Sequence, residues 1–228
     1  MKKNILIFIL IPLISLSQSN RSLETIDLGI IETPGGWDDV IPQFKPIGWS
    51  KDGKFAYRNT MCDDMCGCCT DGIAVISAIT DETVEYLPCG EGGGDFREMS
   101  MKDSIMEVRK TLSRNSIVVG SVGQFIKSNQ INDYNIILNQ KRISAREGAN
   151  IGFDLEYKLI VGNNNIGYKT VSGGIITDLD QDLQYLGYIK SPFEDRILIL
   201  FSDCSLGLEM TYRYDLYLVG CNLNPKTF

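Results

Sequence analysis

Thiol side chains are the groups in this sequence whose type and spacing could do chemistry. Five of the seven cysteines fall between Cys62 and Cys89. Four of them form one run with the spacing Cys-x-x-x-Cys-x-Cys-Cys, at Cys62, Cys66, Cys68 and Cys69. Cysteines in an oxidising compartment form disulfides by default. We therefore expect two disulfides in this group. One of them joins Cys89 to the run, and the adjacent Cys68 and Cys69 take separate partners.

The same run could instead bind a metal ion. Thiolates are soft ligands that suit Cu(I) and zinc, which makes candidate ligands of Cys62, Cys66, Cys68 and Cys69. Their spacing is not that of the paired Cys-x-x-Cys motifs of a zinc ribbon. Disulfides are therefore the favoured interpretation, and no cofactor is predicted.

The two remaining cysteines, Cys204 and Cys221, are predicted not to bond with each other. The pattern between them indicates a hairpin, with Cys204 near the turn and Cys221 at the far end of the return strand. About eight extended residues separate those ends by about 25 Å, whereas a disulfide needs Cα atoms within roughly 7 Å. Because the number of cysteines is odd, at least one thiol stays unbonded or pairs between molecules.

Histidine is absent from the chain. This excludes Ser-His-Asp and Cys-His nucleophilic catalysis and histidine-based metal sites, and leaves carboxylate, lysine, tyrosine and thiolate chemistry.

An aspartate series is spaced like the start of a calcium loop, at Asp178, Asp180 and Asp182. Leu183 and Ile189 stand where an EF-hand loop needs Gly and Glu. An EF-hand is therefore excluded, and an irregular calcium site stays open beside a solvated turn.

Two other segments could carry polar chemistry. Residues 90–95 are glycine-rich but lack the Gly-Lys-Ser/Thr of a phosphate-binding loop, so we interpret them as a connector. Glu194 and Asp195 could form half of a hydrolase carboxylate pair. Adjacent acids on a turn more often cap the turn or face solvent, which is the interpretation we favour.

The first 19 residues are typical of a secretory signal peptide. Lys2 and Lys3 precede an apolar run over residues 5–16, and small serines follow it. The run is shorter than the roughly 20 residues that span a bilayer, and no second such run follows. We predict that residues 1–19 are removed and that the mature protein is bacterial, periplasmic or secreted, and not membrane-spanning.

The net charge of −7 argues against nucleic-acid partners, because an acidic protein repels phosphate backbones.

The elements that must position these residues are mainly β-strands. The Asp52-Gly53 pair predicts a tight turn between two strands, and residues 48–89 form a cysteine-rich antiparallel meander. A helix over 100–114 follows, and then a second β region over 116–221, with turns at 162–165 and 173–174. The prediction is a single α+β domain over residues 20–228, predominantly β, with two antiparallel meanders and one amphipathic helix between them.

The sequence predicts where the helix begins and which of its faces is apolar. Ser100 is a suitable N-cap. One apolar stripe recurs at helical spacing and is expected to face the core: Met101, Ile105, Val108 and Leu112.

A weak internal repeat relates the two meanders. Gly48-Trp49-Ser50-Lys51 matches Gly187-Tyr188-Ile189-Lys190, and in each case a turn and a basic residue open an apolar strand. The first motif, continued to Tyr57, resembles the strand-turn-strand signature of TolB-like propeller blades over one blade. Together with Gly187 to Arg196 it resembles a group of exported bacterial proteins of unknown function. The resemblance implies export and a β-rich fold, and it brings no activity and no catalytic residue.

These features predict an exported, disulfide-stabilised binding or structural module without catalysis, with an unknown protein or glycan partner in the cell envelope. Two alternatives remain. One is a carboxylate-based hydrolase acting on envelope or extracellular glycans, for which a cleft holding two carboxylates is the expected sign. The other is a soft-metal protein built on the cysteine run.

Overall fold

The computed structural model describes residues 42–63, 68–88, 101–145, 152–206 and 212–227. The predicted signal peptide, Ser100, Cys66, Cys89 and the glycine-rich connector lie outside these ranges. The described chain is mainly antiparallel β-structure with one α-helix, which confirms the predicted α+β, predominantly β class.

The cysteine-rich meander forms the first sheet. Its strands are β1 (Gln43–Trp49), β2 (Lys54–Asp63), β3 (Cys68–Ser77) and β4 (Thr83–Pro88), and the short β5 (Val118–Val119) pairs with the outer side of β1. The order is β4-β3-β2-β1-β5, with antiparallel neighbours throughout. The first turn has Gly53 at φ 81°, a left-handed conformation that glycine adopts without steric cost. The predicted Asp52-Gly53 turn is therefore confirmed.

The helix, α1 (Met101–Arg114), packs on one face of the first sheet through its C-terminal half. Leu112 is buried and Val108 partly buried against Ile47, Val75 and their neighbours. Ile105 is 47% exposed, so its predicted place in the core-facing stripe is wrong. The side chain of Met101 lies outside the described residues.

Glu85 on β4 anchors the C-terminal end of the helix. Its carboxylate accepts hydrogen bonds from the Thr111 hydroxyl (3.0 Å) and the Asn115 side-chain amide (2.7 Å), and it forms an ion pair with Arg114. All three partners belong to the last turn of α1 or follow it. The polar contacts that fix the helix on the sheet therefore hold its C-terminal end, and the turn that carries Ile105 lies outside this cluster.

The second sheet contains β7 (Gln130–Ile131) and three long strands, β8 (Tyr134–Ala145), β9 (Phe153–Asn163) and β10 (Gly167–Leu179), in the order β10-β9-β8-β7. The predicted turn at Gly173-Gly174 is wrong, because both glycines lie inside β10, opposite Lys158 and Tyr157. Glycine is tolerated there because other groups approach the backbone closely: a Cβ on Gly173 would lie 3.1 Å from the Tyr157 carbonyl oxygen.

The third sheet is built from β6 (Phe125–Ile126), β11 (Gln184–Lys190), β12 (Arg196–Ser202) and β15 (Leu216–Asn222) in the order β15-β12-β11-β6. A small ribbon of β13 (Ser205–Leu206) and β14 (Tyr212–Arg213) lies between β12 and β15 in the chain. This is the second predicted meander.

The third sheet is the central layer of the molecule. Every residue of β12 is buried. Leu198 and Leu200 pack into the cluster shared with the first sheet, whereas Ile197, Ile199 and Phe201 pack into the cluster shared with the second. Successive strand residues point to opposite faces, so a continuous apolar strand requires cover on both sides. The layers therefore run α1, first sheet, third sheet, second sheet.

A buried arginine joins the first and third sheets. Arg196 is only 8% exposed, and its Nη1 donates to the Ala78 carbonyl (2.9 Å) while its Nε donates to Glu194 (2.9 Å). Beside it the Gly220 N–H donates to the Asp81 carboxylate (2.7 Å). The turn between β3 and β4 is thus held against β12 by the buried Arg196 and against β15 by the Asp81 carboxylate.

The two repeated sequence motifs adopt the same local geometry. Each has a register irregularity just before its glycine, at Gly48 in β1 and Gly187 in β11. In each, a serine N–H after the strand donates across the turn, from Ser50 to the Lys54 carbonyl and from Ser191 to the Arg196 carbonyl. A two-residue edge strand, β5 or β6, then pairs with the strand end. The internal repeat predicted from sequence therefore corresponds to a repeated structural unit.

Candidate functional site

An open cleft of about 590 Å³ lies between the end of β10 and the third sheet. One wall is the stretch Gly174 to Leu179 of β10. The floor and the opposite wall are formed by tyrosine, serine and aspartate side chains from other strands and their connections: Tyr157, Asp203, Ser205, Asp215 and Tyr217. We call this site the acidic cleft. Its volume is within the usual range for small-ligand sites.

Asp203 is held rigidly in the acidic cleft. It directly follows the buried strand β12 and is 5% exposed. The Tyr217 hydroxyl donates to its Oδ2 (2.6 Å) and the Asp215 N–H donates to its Oδ1 (3.1 Å). Both carboxylate oxygens are therefore engaged within the protein, which fixes the position of the Tyr217 hydroxyl and of the turn into β15.

Burial raises the pKa of Asp203 above its ordinary value. The hydrogen bonds from Tyr217 and Asp215 N–H oppose this shift because they stabilise the carboxylate, and the nearby Asp215 charge adds to it. The pKa of Tyr217 is raised as well, first by burial and then by the hydrogen bond to Asp203. Asp203 is therefore an acid whose ionised form is costly, held next to a tyrosine that keeps its proton.

The tyrosine rings form an aromatic wall behind these acids. Tyr217 stacks on Phe201 with ring centroids 5.1 Å apart and planes 6° apart, and Tyr157 packs on Phe201 at 5.6 Å. The Tyr157 hydroxyl lies 3.1 Å from Ser172 Oγ. Both rings rest on a fully buried phenylalanine, which fixes their positions, and the Tyr217 hydroxyl lies beside the Asp203 carboxylate.

Two further aspartates border the acidic cleft. Asp215 forms an ion pair with Arg213 (3.3 Å) and is partly exposed. Asp178 has φ 60° and lies where the pairing of β10 with β9 shifts register, between Ile176 and Leu179. Irregularities of this kind bend a strand and change the direction of a side chain. The bend brings Asp178 to the rim of the cleft.

A pH dependence follows from Asp203. Its folded-state pKa is raised, so between the unfolded and folded pKa values the native state binds more protons, and stability falls as pH rises through that window. Asp203→Asn removes this contribution. We expect the mutant to gain stability relative to wild type as pH rises from about 4, by at most about 1.4 kcal/mol per pH unit, measured by urea unfolding over a pH series.

Tyr217→Phe is the control for that measurement. It removes the hydrogen bond that lowers the pKa of Asp203, so the window should extend to higher pH. A stability difference between Asp203→Asn and wild type that stays constant across the acidic range would contradict the assigned role of Asp203.

The cysteines are only partly brought together. The backbone register pairs Cys62 with Cys69 and Asp63 with Cys68 across β2 and β3. Cys66 and Cys89 lie outside the described residues, so neither the predicted bridge to Cys89 nor the four-thiolate metal site is tested.

Cys204 and Cys221 lie at opposite ends of the hairpin of β12 and β15. Cys204 follows the end of β12, whereas Cys221 pairs with Ile197 near the start of that strand. The two thiols are buried and are not joined to each other. Burial raises the pKa of Cys221 to about 11, so its thiol keeps its proton at neutral pH and is a poor nucleophile.

The other acids singled out from sequence separate in the structure. Asp178 borders the acidic cleft, while Asp182 forms an ion pair with Arg142 (3.0 Å). Within the described ranges, no group of three Cys, Asp or Glu side chains is arranged to hold a metal ion. Glu194 is bound by Arg196, and Asp195 lies 3.7 Å from Lys190. The Glu194-Asp195 pair therefore has two separate partners and serves the turn.

Apart from Asp178, the acids that form the acidic cleft were not identified from the sequence. Asp203 and Asp215 are twelve positions apart, and neither belongs to a motif that indicates a site. The available signal was the placement of an acid directly after the apolar strand Arg196–Ser202, followed by the Tyr-x-Tyr-x-x-Tyr pattern at residues 212–217.

No family model, curated protein or solved structure matches the chain. Among the helices described, none is both long enough and apolar enough to cross a bilayer.

Proposed function

We propose that this protein is an exported, disulfide-stabilised binding module that does not perform catalysis, and that a positively charged ligand occupies the acidic cleft. The observation that carries the proposal is the fixed arrangement of Asp203, Asp215 and Tyr217 in an open cleft of about 590 Å³. Groups held by the protein before a ligand arrives lose little entropy on binding, which suits recognition.

The hydrogen bonding favours binding over catalysis. A general acid must present its proton to the substrate, and a nucleophile must present a lone pair. Asp203 accepts a hydrogen bond at each oxygen and is only 5% exposed, so little of its carboxylate is presented to a substrate. The Asp215 side chain forms an ion pair with Arg213. These two acids are therefore held as parts of a scaffold.

Charge and aromatic character specify the ligand class. The chain carries a formal charge of −7. Three aspartates border the acidic cleft, and one of them, Asp215, is paired with Arg213. Such a field raises the local concentration of cations. Tyrosine faces add attraction for ammonium and guanidinium groups, worth about 0.5–1 kcal/mol at exposed sites.

The binding experiment uses the mature protein and three probes: a lysine oligomer of about six residues, a glutamate oligomer of the same length and a chitin oligosaccharide. Isothermal titration at low and physiological salt should show binding of the lysine oligomer only. The double variant Asp178→Asn/Asp215→Asn should weaken it about tenfold, which is about 1.4 kcal/mol. The exposed Asp195→Asn, outside the cleft, is the matched control and should bind as wild type does. Absence of lysine-oligomer binding would overturn the proposal.

A hydrolase is the second candidate, and one observation favours it. The pKa of Asp203 is raised by burial, which is the property of a general acid in glycoside hydrolysis, and Asp215 lies beside it. Release of reducing ends from envelope polysaccharide by the wild type, lost in Asp203→Asn, would replace the binding proposal with this one. No comparable observation favours the soft-metal alternative, whose ligand Cys66 lies outside the described residues.

Export and oxidation make a separate prediction for the first sheet. Directly opposite residues of antiparallel strands have Cα atoms about 4.5–5.5 Å apart, within the range that a disulfide needs. Since Cys62 is opposite Cys69, we expect these two to be joined when the protein is isolated from its own envelope. Peptide mapping under non-reducing conditions should recover the linked fragment at about 2 Da below the sum of the reduced peptides.

The variant Cys62→Ser/Cys69→Ser tests what that link contributes. The loop it closes is short, so the loss is expected to be about 2–3 kcal/mol of unfolding free energy. The wild-type protein unfolded in the presence of a reductant is the control, because it keeps both side chains and lacks only the link. Recovery of both Cys62 and Cys69 as alkylated thiols from the exported protein would contradict the predicted link.

A further inference from the structure

The edge strand β10 borders the acidic cleft along its backbone. Six consecutive residues of β10, from Gly174 to Leu179, line the cleft. Successive side chains of a strand point to opposite faces: Ile176 packs against the core, whereas Ile175 is 60% exposed. A cleft lined by both kinds of residue must run beside the strand edge. Among the strands that the structure describes, β10 pairs with β9 alone, and we infer that its other edge faces the cleft.

We propose that the ligand of the acidic cleft is an extended basic polypeptide segment that pairs with the outer edge of β10 as an additional strand. This inference rests on the proposed function and specifies its ligand. Main-chain hydrogen bonds to the edge supply affinity in this mode of recognition, and alternate side chains supply specificity.

The composition of β10 supports an edge that accepts a partner. Proteins usually protect edge strands with charged side chains or proline, because an unprotected edge pairs with other chains. Between Lys169 and Asp178, β10 has neither a charged residue nor a proline. The strand is also long, extending over Gly167–Leu179. Within β10, Asp178 and the register irregularity between Ile176 and Leu179 protect only the end of the strand. The regularly paired residues 172–176, three of which line the cleft, lack the usual protection.

The dimensions suit a short peptide. The regularly paired residues 172–176 extend about 17 Å at roughly 3.3 Å per residue, so this part of the edge can pair with about five residues of a partner. A cleft of about 590 Å³ leaves room for the side chains on the inner face of such a strand.

The two faces of the added strand would meet different surroundings. Side chains on its inner face would point toward the wall that contains Asp203, Asp215 and Tyr217, where lysine or arginine is favoured by charge. Side chains on its outer face would lie beside Ile175, which is 60% exposed, where a branched apolar residue would bury apolar surface. The chemistry therefore points to a segment in which basic and apolar residues alternate.

The test uses a blocked peptide of about seven residues in which lysine alternates with valine, together with singly N-methylated versions at each position. Every second amide of an edge-paired strand donates to its neighbour, and methylation removes that donor. Titration of the mature protein should show a loss of about tenfold or more with methylation at alternate positions and little change at the positions between them. A scrambled peptide of the same composition, with its lysines grouped together, should bind more weakly.

The outcomes separate the two proposals. Peptide binding that weakens in Asp178→Asn/Asp215→Asn but shows no alternation with N-methylation would overturn strand addition and leave cation binding in the cleft intact. No binding of this peptide or of the lysine oligomer would overturn both. A concentration-dependent dimer that the peptide does not dissociate, and that is lost in Thr177→Pro with the monomer still folded, would show that the edge takes a second copy of this chain and would overturn the peptide proposal.

Discussion

Gly220→Ala is expected to destabilise the protein by about 3 kcal/mol or more, which is a large share of the roughly 5–15 kcal/mol available to a domain. A Cβ added at Gly220 would lie 1.9 Å from the Ala78 carbonyl oxygen and 2.5 Å from its carbonyl carbon. Those atoms are backbone, so no side-chain rotation can make room. The same carbonyl accepts the hydrogen bond of the buried Arg196 (2.9 Å). Moving Ala78 away would therefore break the contact that joins the first and third sheets.

Gly174→Ala is the matched control for this prediction. Gly174 also lies in a strand, and its added Cβ would meet only a Tyr157 ring carbon at 3.7 Å, an ordinary contact. Gly220→Ala should lower the midpoint of thermal unfolding by about 10 °C, and Gly174→Ala should lower it by far less. Circular dichroism measures both midpoints. Equal, small shifts for the two variants would show that β15 and the β3–β4 turn are not in contact as described.

The elements of the fold follow largely from local sequence patterns. Asp52-Gly53 predicts a turn because glycine adopts positive φ readily, and Gly53 has φ 81°. The continuous apolar run in Arg196–Ser202 requires burial on both faces, and β12 is buried at every residue. These features depend on steric and hydrophobic rules that act over a few residues, which is why the strands and the two meanders could be predicted.

The acidic cleft depends on long-range packing and could not be found in this way. Tyr157 and Tyr217 are 60 positions apart and meet because both pack on Phe201. Asp203 gains its raised pKa from burial between sheets, a property that no local pattern encodes. Gly173 and Gly174 show the reverse error: their type predicts a turn, but both pair with β9 inside β10.

Ile105 shows that a helix can be predicted correctly while the burial of one of its residues is predicted wrongly. The 3.6-residue period places it on the same stripe as Leu112, and the helix forms as predicted. The part of the stripe that is buried depends on what the helix packs against. Glu85 on β4 bonds to Thr111, Arg114 and Asn115, at the C-terminal end of the helix. Periodicity therefore predicts the helix and its apolar stripe, while the length of the stripe that is covered is set by the sheet.

Trp49→Ala is expected to cost about 3–5 kcal/mol, the usual range for removing a fully buried large aromatic side chain. Trp49 is 0% exposed and lies at the end of β1, where its ring is 4.9 Å from that of Phe55. Its Nε1 donates to the Val122 carbonyl (3.1 Å), and its backbone N–H donates to Ser121. The residue thus ties the connection after β5 to the core between the first and third sheets.

Trp49→Phe separates the two contributions of that side chain. It keeps an aromatic ring beside Phe55 but leaves the Val122 carbonyl without its indole donor, so the loss should be roughly half that of Trp49→Ala. Urea unfolding followed by circular dichroism measures both. Because Tyr188 holds the equivalent position in the second repeat and is also buried, Tyr188→Ala should cost a comparable amount. A fully cooperative transition in Trp49→Ala with a loss below about 1 kcal/mol would show that the junction of the two meanders is not the centre of the fold.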